Sequence, residues 1–234
     1  MAKQEIAFAN GRIGNIVFYR LNGTGYARTA PRKYKQSKAT KQSAKDFGRA
    51  AQLSKYLRYS LRSALTDYKN REIIYKMNAA LLKWLRQERP DDVNSSIDTV
   101  EFNDKSEFSS RFRKELLVDF NTKGKVMINI PRLKIPDDIA APSNTTSVRL
   151  DIAIAGCMLK EPQPTETAST SIKILYKDGS ITAAVEKELK FNCKAGSINV
   201  VAVSLHYFIK EEGHETEVIN DRWTPAAIIA AVIG

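Results

Sequence analysis

Apolar positions along this chain change period near residue 97. From about 41 to 68, Phe47, Ala50, Ser54, Leu57, Leu61 and Leu65 recur at threes and fours, which predicts an amphipathic helix. Thr40 or Ser43 is placed to cap its start. A second helix is predicted over about 71–88, where Ile73, Met77, Leu81, Trp84 and Leu85 share a stripe. Asn70 breaks and caps before it; Pro90 and the polar run 91–96 stop it. The pattern reads as an αα-hairpin whose stripes face each other or the C-terminal sheet.

Beyond 97 the pattern becomes strand-like. Strands are predicted at 98–103, 115–121, 125–131, 146–159, 169–177, 181–191 and 198–210, with turns at 121–124 and 177–180. Ser147 to Ala155 alternates polar and apolar, as a half-buried strand does. The apolar end after Trp223 is either a short helix starting at Pro225 or a last strand. At the other end, 5–9 reads as a short strand, and 15–20 and 26–30 flank Asn22-Gly23, a dipeptide suited to a tight hairpin. Residues 5–30 are too few to be stable alone. They are expected to pack on the rest of the chain or add to another subunit's sheet. The fold class is therefore α+β: an N-terminal β-hairpin and a basic αα-hairpin (1–96), then an antiparallel β-sandwich-like domain (97–234).

Charge sharpens this division. The 234 residues carry a formal net charge of +11, but residues 1–90 hold 20 Lys/Arg and 5 Asp/Glu, while 91–234 hold 17 and 21. The first region is thus +15 and the second −4. A local excess of this size points to a polyanion, an acidic partner or an anionic surface. Its densest part is residues 32–45, which contain no acid. The candidate binding residues are Arg12, Arg20, Arg28, Arg32, Lys33 and Lys35, continued by Lys38, Lys41, Lys45 and Arg49. Tyr19, Tyr26 and Tyr34 are interleaved with them. Cations make salt-sensitive phosphate contacts, and aromatic rings stack on bases or support Arg. The mixture fits nucleic acid, and it equally fits a basic arm threading between subunits of a large assembly.

Catalytic chemistry has little to stand on. His206 lies in a strand pattern and His214 in a polar turn, with no second His or Cys at metal-ligand spacing. Gly11-Arg-Ile-Gly14 and Gly23-Thr-Gly25 open no helix, so they are turns and not phosphate loops. Asp91-Asp92 and Asp137-Asp138 are adjacent turn residues beside prolines. Cys157 and Cys193 form no C-x-x-C pair and read as small buried hydrophobes, with a cross-strand disulfide as the alternative. No enzyme activity, metal or cofactor is expected. No apolar run approaches a membrane span, and the start lacks a secretory leader, so the expected location is the cytoplasm or a particle assembled there.

The run Gly11 to Pro31 and the stretch Phe47-Gly-Arg-Ala50 to Arg58 carry a resemblance. They resemble a family of Bacteroidota proteins of similar length in which a G-x-I-G strand, a Y-x-x-x-G turn and an A-R-x-x-P exit precede an F-G-R-A helix. Similar openings occur in phage- and prophage-encoded proteins. The likeness covers the first quarter of the chain, and Val200 to Val232 matches the family's closing hairpin loosely. The family brings no established activity and no catalytic residues. It implies a structural component of a virion or mobile element, working as a homo-oligomer or within a larger assembly. The alternative is a stand-alone protein binding DNA or RNA without sequence preference. A β-sandwich glycan binder is less favoured, because aromatics are few in the C-terminal half.

Overall fold

The computed structural model describes residues 2–4, 10–30, 36–65, 69–86, 97, 100–120 and 124–234. Its architecture is mixed α+β, with antiparallel sheets and few helices. Two compact units divide at Gln42 and Ser43. The apolar stripes of the helices supply part of the core of the large sheet.

In the first unit, β1 (Ala2–Gln4), β2 (Gly11–Ile13), β3 (Ile16–Leu21) and β4 (Thr24–Thr29) form a sheet of order β1-β4-β3-β2. The β3–β4 turn puts Asn22 at φ 50° and Gly23 at φ 79°, the left-handed pair that a two-residue hairpin turn requires. The strand expected at 5–9 lies outside the described residues.

In the second unit, α1 (Lys38–Ser60, which begins in the first unit) and α2 (Arg71–Leu85) lie against a large sheet. Ser37, not Thr40 or Ser43, caps α1: its Oγ accepts from the Thr40 amide at 3.1 Å. Asn70 caps α2 as expected, its Oδ1 accepting from the Glu72 amide at 2.9 Å. The helix stripes face the sheet. A short α3 (Phe108–Arg111) follows the two-residue β5 (Val100–Glu101).

The strands continue as β6 (Leu117–Asp119), β7 (Lys125–Ile130), β8 (Thr145–Met158), β9 (Pro164–Leu175), β10 (Val185–Lys190), β11 (Ser197–Glu211), β12 (His214–Glu217) and β13 (Ala226–Ile233). The large sheet runs β5-β13-β11-β8-β9, with β12 also pairing β11; a smaller sheet runs β10-β7-β6. The apolar end is therefore a strand, held against β11 from Ala226 opposite Ser204 to Ile233 opposite Ile198.

β8 differs from the half-buried reading of Ser147 to Ala155: it and its neighbour β11 are buried along most of their length. β8 and β11 pair from Met158 opposite Ser197 to Thr145 opposite Ile209. Alternate positions then fill two separate cores. Ala153, Ala155, Cys157, Val200 and Ala202 join Leu53, Leu57, Met77, Leu81 and Trp84 on the helix side. Ile152, Ile154, Val201, Val203 and Leu205 join Val126, Ile128 and Ile130 of the smaller sheet on the other. Small side chains under the helices let bulky Leu and Trp approach the sheet, while larger branched residues fill the space between sheets. Gly156 serves the same packing: an added Cβ would press on Thr165 Oγ1 and come 2.7 Å from Asn199 Oδ1. Both cysteines are free, and burial pushes the Cys157 thiol up to about 11.

Candidate polyanion interface

Register sorts the basic residues of the first sheet onto its two faces. Val17 pairs with both Arg12 and Arg28, and Tyr19 pairs with Tyr26, so these five share one face. The tyrosine rings stack at 5.7 Å with 23° between planes. The Arg28 guanidinium lies 5.4 Å from the Tyr19 ring centre, within cation–π range. Arg12 donates from Nε to the Gly14 carbonyl at 2.9 Å, which anchors it over the turn while it stays exposed. Arg20 pairs with Gly25 and falls on the other face. That face carries Ile13, 69% exposed, and Ile16, 45% exposed. One side of the sheet is thus aromatic and cationic, and the other is apolar with one Arg.

Arg32, Lys33 and Lys35 lie outside the described residues. Lys38 and Lys41 occupy the first turns of α1 and are exposed, as is Lys45 one turn on. That first turn has no acidic residue. Cations at the positive end of a helix are unfavourable by roughly 0.3–1 kcal/mol each, a cost that an anion bound there would offset. Arg49 has a different role. Its Nε and Nη2 donate to the Leu159 carbonyl at 3.0 and 2.7 Å, tying α1 to the end of β8. Among the described candidates, Arg12 and Arg28 share one face of the first sheet, Arg20 lies on its other face, and Arg49 is bonded to the Leu159 carbonyl.

The sequence reading missed a polar cluster on the helix side of the large sheet. His206, buried at 6% exposure, has its Nδ1 2.6 Å from Glu217 Oε1 and its Nε2 3.3 Å from Asp151 Oδ2. Ser204 Oγ is 3.1 Å from the same Nε2, and Arg149 Nε sits 3.1 Å from both Asp151 oxygens. Ser204, His206 and Glu217 have the spacing of a nucleophile, a base and its orienting acid. The Asp151 carboxylate also faces Nε2, the nitrogen that would take the serine proton. Arg149 and His206 contact Asp151 and Glu217, and the cluster ties β8, β11 and β12 together as a polar lock. Ser204 and His206 also edge a cavity of about 370 Å³ floored by Leu205 and Ala226 and walled by Ile73, Phe102 and Asn103. Asn103 there is engaged: its Nδ2 donates to the carbonyls of Asp221 and Thr224 at 2.7 and 3.2 Å.

Among the described residues, no group of three or more His, Cys, Asp or Glu is placed to hold a metal ion, and no helix is long and apolar enough to cross a membrane. No family model matches the chain, and no curated protein gives a significant match.

Proposed function

We propose that this chain is a non-enzymatic assembly protein, of the kind built into phage-like particles or mobile elements, whose basic N-terminal portion docks on nucleic acid. One observation carries the reading: Arg12, Tyr19, Tyr26 and Arg28 lie on one face of a small sheet, with the rings stacked and a cation over one of them. Stacked rings beside arginines offer both a base-stacking platform and phosphate contacts, without selecting a sequence. The opposite, apolar face with Ile13 and Ile16 suits contact with another protein subunit. In this reading α1 and α2 act as a basic helical hairpin, and the two sheets of the second unit form a sandwich-like body that gives the particle its bulk. The resemblance of the opening motif to phage-encoded proteins supports the same role.

The test is the size of the purified protein with and without nuclease, at low and high salt. An oligomer or co-purifying particle, with nucleic acid that nuclease or high salt removes, supports the proposal. A monomer with no nucleic acid at any salt refutes it. A monomer that retains nucleic acid at low salt favours the stand-alone binder.

A further inference from the structure

A second basic surface lies in the other compact unit, on its helices. Residues 43–86 hold ten Lys/Arg and three Asp/Glu. Several of these cations are engaged within the chain: Arg49 on the Leu159 carbonyl, Arg58 on Ser54 Oγ at 3.2 Å, Arg86 on Ser43 Oγ at 2.7 Å, and Lys76 with Glu72 and Asp104. The others are sorted outward. Counting along α1 away from its buried positions, Lys45, Gly48, Gln52, Lys55 and Tyr59 recur at threes and fours, and all are exposed. Arg62, in the turn that follows, continues the row with its guanidinium 5.0 Å from the Tyr59 ring centre. On α2 the exposed positions include Arg71, Tyr75 (67% exposed) and Lys83.

Geometry and chemistry select the partner. Lys45 and Lys55 are ten residues apart on one helix, about 15 Å along its axis. Duplex DNA presents a negative charge roughly every 1.7 Å of its axis, so the three cations of this row, Lys45, Lys55 and Arg62, can each meet a phosphate. Arg and Lys mounted on rigid helices with tyrosines between them suit a backbone that is contacted without reading bases. We infer that the outward face of α1 and α2 is a second nucleic-acid surface, one that contacts the phosphate backbone of duplex DNA. This rests on the nucleic-acid reading above and extends it. The chain then holds nucleic acid at two places, one suited to unstacked bases and one to a duplex.

The experiment is fluorescence anisotropy of a labelled 30-base-pair duplex titrated with the full chain across a salt series. The variant K45A/K55A/R62A/K83A is expected to weaken binding and to lower the slope of log K against log[salt] by about 3 to 4, at roughly 0.9 for each phosphate the protein no longer neutralises. Replacing four exposed lysines elsewhere (K160A/K177A/K190A/K194A) should leave the slope unchanged. Should the quadruple variant fail to fold by circular dichroism, K45Q/K55Q is read instead, with an expected change of about 2. A helix variant with the wild-type slope overturns the inference; if R12A/R28A still weakens binding, the sheet reading survives alone. An equal loss in the control lysines overturns it as well. So does wild-type protein that binds polyglutamate but not duplex, which would make the partner an acidic protein.

Discussion

Replacing His206 with Ala tests whether the buried cluster on β8, β11 and β12 is a lock or a catalytic device. The substitution removes contacts at 2.6 Å to Glu217 and 3.3 Å to Asp151. Hydrogen bonds to charged groups contribute about 1.5–3 kcal/mol each. Two features pull the figure toward the low end. Arg149 still holds Asp151 through both oxygens, and Glu217 is 31% exposed, so water can take up part of its charge. The expected loss is about 3 kcal/mol, or roughly 6–12 °C in melting temperature for a domain of this size. Ser204→Ala removes one hydrogen bond and should cost about 1 kcal/mol. Urea unfolding of both variants measures the losses, with an unchanged m-value as the check that the unfolded state is the same. A loss under about 1 kcal/mol for His206→Ala refutes the lock. So does wild-type hydrolysis of a p-nitrophenyl ester that Ser204→Ala abolishes, because Nε2 would then be acting as a base toward Ser204.

Three further outcomes follow from the same structure. Gly156→Ala forces a methyl against Thr165 and Asn199 in the core, and should destabilise by about 1–3 kcal/mol in urea melts. Reversing Arg32, Lys33, Lys35 and Lys38 to Glu should abolish low-salt retention on DNA and RNA columns; unchanged retention sinks the nucleic-acid reading of the N-terminal region. Burial raises Cys157 from 9.0 to about 11 and raises Tyr207 as well, so between about pH 9 and 11 the folded chain holds protons that the unfolded chain releases. Stability should therefore fall with rising pH across that window, and Cys157→Ala should make the fall shallower in urea melts at pH 8 and 10.5.

The helices and the long strands were legible because their apolar positions keep a clear period. Ala50, Ser54, Leu57 and Leu61 mark one face of a helix, and the alternation that opens at Ser147 marks a strand. The second half of β8 was misread because Ile152 to Cys157 is buried on both faces, and such a run carries no alternation. β12 was missed because His214-Glu-Thr-Glu217 has no apolar residue. In the structure Glu212 at φ 50° and Gly213 at φ 89° form the tight two-residue connection that leads into it. Without β12, Glu217 had no strand to sit on, and the partner of His206 stayed hidden. α3, at four residues, is barely longer than one helical turn and leaves no periodicity to read. The ten basic candidates were found by composition, which counts charge but cannot see register. Only the pairing of Val17 with Arg12 and Arg28 separates them from Arg20, and only tertiary contact shows that Arg49 is engaged at Leu159.

Charge and core share the same elements in this protein, and that arrangement decides which experiments are informative. In α1 the inward positions Leu53 and Leu57, with Leu61 just beyond, build the helix-side core, while Lys45, Lys55 and Arg62 stand exposed. Neutralising the outward row leaves every inward contact in place, so a change in DNA binding there reports on the surface itself. Exposed substitutions of this kind usually shift stability by less than about 0.5 kcal/mol. Arg49 and Arg58 are the exception, since each points its charge into the fold. Arg49→Ala would loosen α1 from Leu159 and weaken binding indirectly, through the helix it positions. A mutational scan that pooled all the basic residues of 1–90 would merge these two effects. Separating outward from inward cations turns a composition bias of +15 into two surfaces that can be tested one at a time.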